Sequence, residues 1–152
     1  MQLSENLSLT EMISSDSAKR KGIDNHPNPQ QTENLQLLAT KVFQPIRDHF
    51  KVPIHISSGF RSIALNKSIG GASSSQHCTG EAMDIDMDGS SIKNKQIFDW
   101  IKSNLKFDQL IWEFGNDSNP DWVHVSYSHT GKQRGQILKA TKQNGKSVYS
   151  NY

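Results

Sequence analysis

Cys78 is the only cysteine in the chain, so no intramolecular disulfide can form, and the stapled frameworks of small secreted domains are excluded. Long hydrophobic runs are missing as well. No stretch approaches the roughly 18 consecutive apolar residues of a membrane span. The opening, Met1-Gln2-Leu3-Ser4-Glu5-Asn6, has neither the basic start nor the apolar run of a secretory leader. Nor is charge of one sign concentrated anywhere. A net charge of +2 arises from 17 basic and 15 acidic residues scattered along the chain, which leaves no basic footprint for nucleic acid. The 152 residues are enough for one domain with its own core. The expectation is a single domain over 1–152, monomeric, with no membrane or nucleic-acid partner and cytoplasmic as synthesised.

What is present patterns into alternating segments. Ser8 and Glu11 form a capping box that opens a short helix, which buries Met12 and Ile13 and stops at Gly22. After a turn-rich link to Pro29, Leu35, Leu38, Val42, Ile46 and His49 recur three or four apart. That spacing predicts a helix over about 30–50, kinked or divided at Pro45. Ile54 to Ser58 alternates like a half-buried strand, Ser62 to Ile69 reads as a short helix, and Gly70 to Ser75 is a flexible loop. Ala82 to Met87 alternates again, with Met83, Ile85 and Met87 on one side and Asp84 and Asp86 on the other. Asp84 is thereby turned away from the core. Ser91 to Leu105 reads as a helix. Gln109 to Phe114 and Trp122 to Ser126 read as strands, joined by a turn through Gly115 to Pro120. Gln136 to Ala140 and Ser147 to Tyr149 flank Asn144-Gly145, a hairpin-turn dipeptide. Helices come first and strands dominate the second half, which points to an α+β fold with helices packed on a mostly antiparallel sheet.

The chemistry concentrates in Ser75-Gln76-His77-Cys78-Thr79-Gly80-Glu81-Ala82-Met83-Asp84, where an imidazole and a carboxylate flank a turn of small residues. Gly80 is the candidate hinge of that turn. His124 follows on a later strand. Two neutral imidazoles and one carboxylate are a common ligand set for catalytic zinc, which keeps a fourth position free for water or substrate. His77, Asp84 and His124 are therefore the candidate zinc ligands, with zinc-bound water, its pKa lowered to about 7, as the nucleophile.

Peptide hydrolysis also needs a group that accepts the water's proton and returns it to the departing amine. Asp121 is the candidate base. Residues three apart on a strict strand face opposite ways, so this role requires Asp121 to lie in the turn before His124's strand. Glu113, on the preceding strand, is the reserve. Arg61 follows a strand and a glycine, from where its planar fork could grip a substrate carboxylate or the polarised carbonyl. Ser75 could add a hydrogen bond at the same mouth.

Other meanings compete with each of these. A His and an Asp seven apart recur by chance, Asp121 could be an ordinary turn acid, and Arg61 could pair with a surface carboxylate. Cys78 reads as a buried thiol, and His26, His49, His55 and His129 have no supporting context as ligands. Asp86 and Asp88 read as turn acids, and Trp112 and Trp122 as core or pocket walls. The facial triad of an iron oxygenase is a further reading of two His and one acid, but its acid usually follows the first His by two residues.

Ser75-x-His77-x-x-Gly80-x-Ala82-x-Asp84, followed by Asp121-Trp122-Val123-His124, resembles the zinc D-Ala-D-Ala carboxypeptidases. These group with bacterial L-alanyl-D-glutamate endopeptidases, vancomycin-resistance dipeptidases and the hedgehog signalling domain. The resemblance runs over roughly Asn25 to Ala140. It implies a fold of the hedgehog/D-Ala-D-Ala peptidase type and a zinc peptidase acting on peptidoglycan stem peptides. It also implies that His77, Asp84 and His124 bind the metal, that Asp121 is the base, and that Arg61 contacts the substrate. Some relatives carry Glu where this chain has Asp121. Hedgehog keeps the zinc site without peptidase work, so a zinc-stabilised binding module is the alternative. The missing leader and small size resemble phage and prophage members, endolysins that are released to the cell wall once lysis begins.

Overall fold

A computed structural model describes residues 1–152. The chain opens with β1 (Gln2–Ser4) and β2 (Leu7–Ser8), an antiparallel pair too short to leave an alternation signal in the sequence. The Ser8 capping box forms, with the Ser8 hydroxyl accepting from the Glu11 amide and the Glu11 carboxylate accepting from the Ser8 amide. The helix it opens is shorter than expected. α1 (Leu9–Ile13) stops, and α2 (Asp16–Lys21) starts afresh because Ser15 caps it by accepting from the Ala18 amide. Gly22, at φ 62°, ends α2.

Asn28 and Gln31 form a second capping box at the head of α3 (Pro29–Leu38). The helix then widens into a π-helical turn over Ala39–Phe43 before continuing as α4 (Gln44–Phe50). Pro45 has no amide hydrogen, and its ring crowds the carbonyl four residues back. The predicted division therefore takes the form of a widened turn instead of a break.

Six further strands form one sheet: β3 (Ile56–Ser58), β4 (Ala82–Ile85), β5 (Gln109–Glu113), β6 (Trp122–Ser126), β7 (Gln136–Gln143) and β8 (Lys146–Asn151). Their order is β3-β4-β6-β5-β7-β8. Every pairing is antiparallel except β5 with β7, so the fold is α+β on a mostly antiparallel sheet. α5 (Ile63–Ser68) lies between β3 and β4 in the chain, and α6 (Asn94–Asn104) between β4 and β5. Asn144 and Gly145, at φ 51° and 75°, make the tight turn between β7 and β8.

Alternation along the central strands divides the sheet's two faces. Met83, Ile85, Leu110, Trp112, Val123 and Val125 turn to one side, where they join Leu35, Leu38, Val42, Ile46, Ile97, Phe98 and Ile101 from the helices in a cluster of 22 buried residues. Burying each Leu or Ile of this kind stabilises the fold by about 1.5–3 kcal/mol. The other face carries the intervening residues, among them Asp84, Ile111, Glu113, Trp122 and His124. No helix is long and apolar enough to cross a membrane.

Candidate metal centre and active site

Antiparallel register places Asp84 on β4 directly opposite His124 on β6. His77 arrives from a separate element, a 3₁₀ turn over Gln76–Thr79. The Ser75 hydroxyl caps this turn by accepting from the His77 amide at 3.3 Å. α3 holds it from behind, with the Gln31 and Asn34 side chains donating to the Cys78 and Thr79 carbonyls at 3.0 and 2.8 Å. Gly80 ends the turn at φ 77°, and a Cβ there would lie 2.5 Å from the Gln31 carbonyl oxygen. Only glycine lets the chain reverse this close to α3 and enter β4.

One donor atom from each of His77, Asp84 and His124 lies within 4.8 Å of the others, and all three residues are buried. His77 Nδ1 donates to the Gly59 carbonyl at 2.7 Å, so the lone pair sits on Nε2, which is 3.3 Å from Asp84 Oδ1. His124 Nδ1 is 3.0 Å from the same oxygen, and its Nε2 is buried without a partner. Bonds of about 2.0–2.2 Å in tetrahedral geometry bring ligand atoms roughly 3.3 Å apart. Two imidazoles and a carboxylate at these separations fit a single divalent ion. Burial alone would push the Asp84 carboxyl up, but the facing His77 and His124 imidazoles outweigh it and hold the carboxyl well below the usual range. Arg61 braces the outer oxygen, with Nη2 3.3 Å from Asp84 Oδ2 and Nε donating to the Ser58 hydroxyl at 3.0 Å.

The cluster opens into a cavity of about 810 Å³ that Arg61, Ser75 and Glu113 also line. Glu113 is buried, with one carboxyl oxygen lacking any hydrogen-bond partner. Burial, aided by the Asp84 charge and opposed by His124 and Arg61, pushes its carboxyl up to about 7.

Asp121 is not brought to this cavity. Its side chain is exposed and lines a separate cavity of about 650 Å³ with Asp86, Asp88 and Asn94. Its carbonyl accepts from the Asn94 amide group at 2.9 Å. β6 begins at Trp122 with Trp122 and His124 facing the metal centre, so the residue before Trp122 keeps the opposite parity. Asp121 does lie in the turn just before β6, as the role of base required, but its exposed side chain lines the other cavity.

The remaining histidines are occupied elsewhere. His26 pairs with Asp24, His49 stacks on Trp100, His55 bonds the Asp86 carbonyl and His129 pairs with Glu81. Burial pushes the Cys78 thiol up, against the Arg61 charge. Trp112 is core, and Trp122 is half-buried in the cavity wall. Three residues not singled out from the sequence line the same cavity, Arg134, Lys142 and Tyr149. Lys142 and Tyr149 reach it through the parallel pairing of β5 with β7, which no local pattern encodes, and Arg134 from the loop before β7, where Asp108 holds it.

A family model of Peptidase M15 matches residues 5–126. That span contains the metal cluster, Arg61, Ser75, Glu113 and Asp121, and it ends at the close of β6. A search of curated proteins finds no match to the chain.

Proposed function

The chain belongs to the Peptidase M15 family, and on that premise we propose a zinc metallopeptidase that hydrolyses peptide bonds in peptidoglycan stem peptides. The bond is of the D-Ala-D-Ala carboxypeptidase or the L-alanyl-D-glutamate endopeptidase type. The observation that carries this reading is the convergence of His77, Asp84 and His124 at the wall of an open cavity beside a buried carboxyl of raised pKa, Glu113.

His77, Asp84 and His124 hold the ion, a donor set that suits zinc. When bound, zinc supplies Lewis acidity that activates water near neutral pH and polarises a carbonyl. Glu113 acts as the general base in place of Asp121. It takes the proton of the attacking water at its unpartnered oxygen and passes it to the departing amine. Arg61 orients Asp84 through its contact with the outer oxygen and, lining the cavity, receives the substrate's carbonyl or carboxylate oxygen. Ser75 shapes the mouth by fixing the turn that presents His77. Release to the cell wall brings the protein to this substrate, and it acts there as a monomer.

The test is digestion of purified cell wall by the zinc-loaded protein, with fragments identified by mass spectrometry. Loss of a terminal D-Ala marks a carboxypeptidase, and separation of L-Ala from D-Glu marks an endopeptidase. A wall left without new fragments overturns the reading.

A further inference from the structure

The cavity at the metal centre carries three cations, and two of them are neutralised. Arg61 lies against Asp84. Arg134 is gripped by the Asp108 carboxylate, which accepts from Nε at 3.0 Å and from Nη2 at 2.8 Å. Lys142 lines the same cavity and makes no ion pair. Its Nζ donates to the hydroxyl of Ser147, its neighbour across the β7–β8 pairing, at 3.2 Å, and lies 5.1 Å from the centroid of the Phe114 ring. Both contacts are neutral. Lys142 is exposed, and no carboxylate pairs with its ammonium, so its charge is unmatched.

Register shows how far this charge stands from the chemistry. Glu113 on β5 pairs with Ala140 on β7, and Ala140 with Tyr149 on β8. Ala140 is fully buried and too small to occupy the face between them, and Tyr149 lines the cavity beside it. Tyr149 is about half exposed where it lines the cavity, so its ring is open to a ligand. Lys142 stands two residues beyond Ala140 on the same face. With strands about 4.8 Å apart and about 3.3 Å per residue, the Lys142 backbone is roughly 8 Å from that of Glu113 and roughly 16 Å from that of His124, the span of about four to five extended peptide residues. Ala140, Lys142 and Tyr149 all lie beyond residue 126, where the family match ends.

We propose that the β7–β8 hairpin is the specificity wall of this cavity, with Lys142 receiving a carboxylate of the peptide substrate about four to five residues from the bond that is cut. Tyr149 supplies the flat surface against which the intervening backbone lies. The identity of the ligand as a peptide rests on the peptidase reading above. The carboxylate is either the chain terminus or an acidic side chain, and these two sources share one chemistry.

The test uses the full chain, zinc-loaded and carrying Glu113→Gln so that bound peptide persists, titrated calorimetrically with a short Glu-containing peptide and with its side-chain amide, terminal amide and double amide. The acid is expected to bind about fivefold tighter than the double amide. The preference should weaken as salt rises from about 50 to about 500 mM and disappear in Lys142→Gln. Whichever single amide removes the preference identifies the source of the carboxylate. An acid preference that survives Lys142→Gln overturns the proposal, as does equal binding, or no binding, of all four peptides. A Lys142-dependent preference combined with failure of the wild-type zinc protein to cleave any peptide would remove the peptidase reading and leave the wall. Cleavage without that preference would do the reverse.

Discussion

The Asp121 amide donates to the Glu113 carbonyl at 2.9 Å, yet the two carboxylates enter different cavities. Glu113 shares its cavity with His77, Asp84 and His124, while Asp121 is exposed on the far side of the strand end. A one-residue offset in parity between neighbouring strand ends therefore decides which acid can touch a reacting group.

Removing a general base typically lowers turnover by about 100- to 10,000-fold. Glu113→Gln should fall in that range with zinc still bound, whereas Asp121→Asn should change kcat/KM by no more than about twofold, as for other exposed positions. Steady-state kinetics on a stem peptide measure both. The reverse ranking would return the base to Asp121.

Glu113 also imprints a pH dependence on stability. Its carboxyl is harder to ionise folded, at about 7, than unfolded, near 4.5. Ionisation therefore costs nothing below about pH 4.5 and progressively more up to about pH 7, where the loss levels off near 3 kcal/mol. In chelator-treated protein, Glu113→Gln should gain that much over wild type between about pH 4 and pH 8 in urea unfolding. A difference between the two proteins that stays flat with pH would count against the buried, unpartnered carboxyl.

Metal binding should stabilise the fold through the three ligands. At free zinc a hundred times its dissociation constant the gain is about 2.7 kcal/mol, seen as a rise in melting temperature that a chelator reverses. His77→Ala, Asp84→Ala and His124→Ala should each lose the rise and the bound metal. Stoichiometric zinc retained by any of them would exclude that residue from the ligand set.

Gly59 supports the centre through its backbone. Its carbonyl accepts from His77 Nδ1, and a Cβ on it would lie 2.3 Å from the Met12 carbonyl oxygen. Gly59→Ala must shift this segment, misorienting the imidazole. Zinc affinity should drop about 10- to 100-fold, measured by competition with a chromophoric chelator. Unchanged affinity would show that the Gly59 contact does not orient His77.

The sequence by itself determined the elements whose signals are local. The Ser8 cap, the Leu35-to-Ile46 stripe, the Asn144-Gly145 turn and the alternation around Asp84 all depend on neighbours a few residues apart, and all appear in the fold. The metal cluster was legible for a related reason, since His77 and Asp84 flank one turn and His124 sits within an unmistakable strand. The choice between Glu113 and Asp121 was not legible, because Glu113 closes β5 and Asp121 sits in the bend before β6, where side-chain direction depends on where pairing ends and begins. Nor was the wall of Lys142 and Tyr149, which exists only because β7 pairs parallel to β5. Such non-local pairing is selected by burying one face of the whole sheet against the helices. It brings together residues that no stretch of chain connects, and only the tertiary structure decides it.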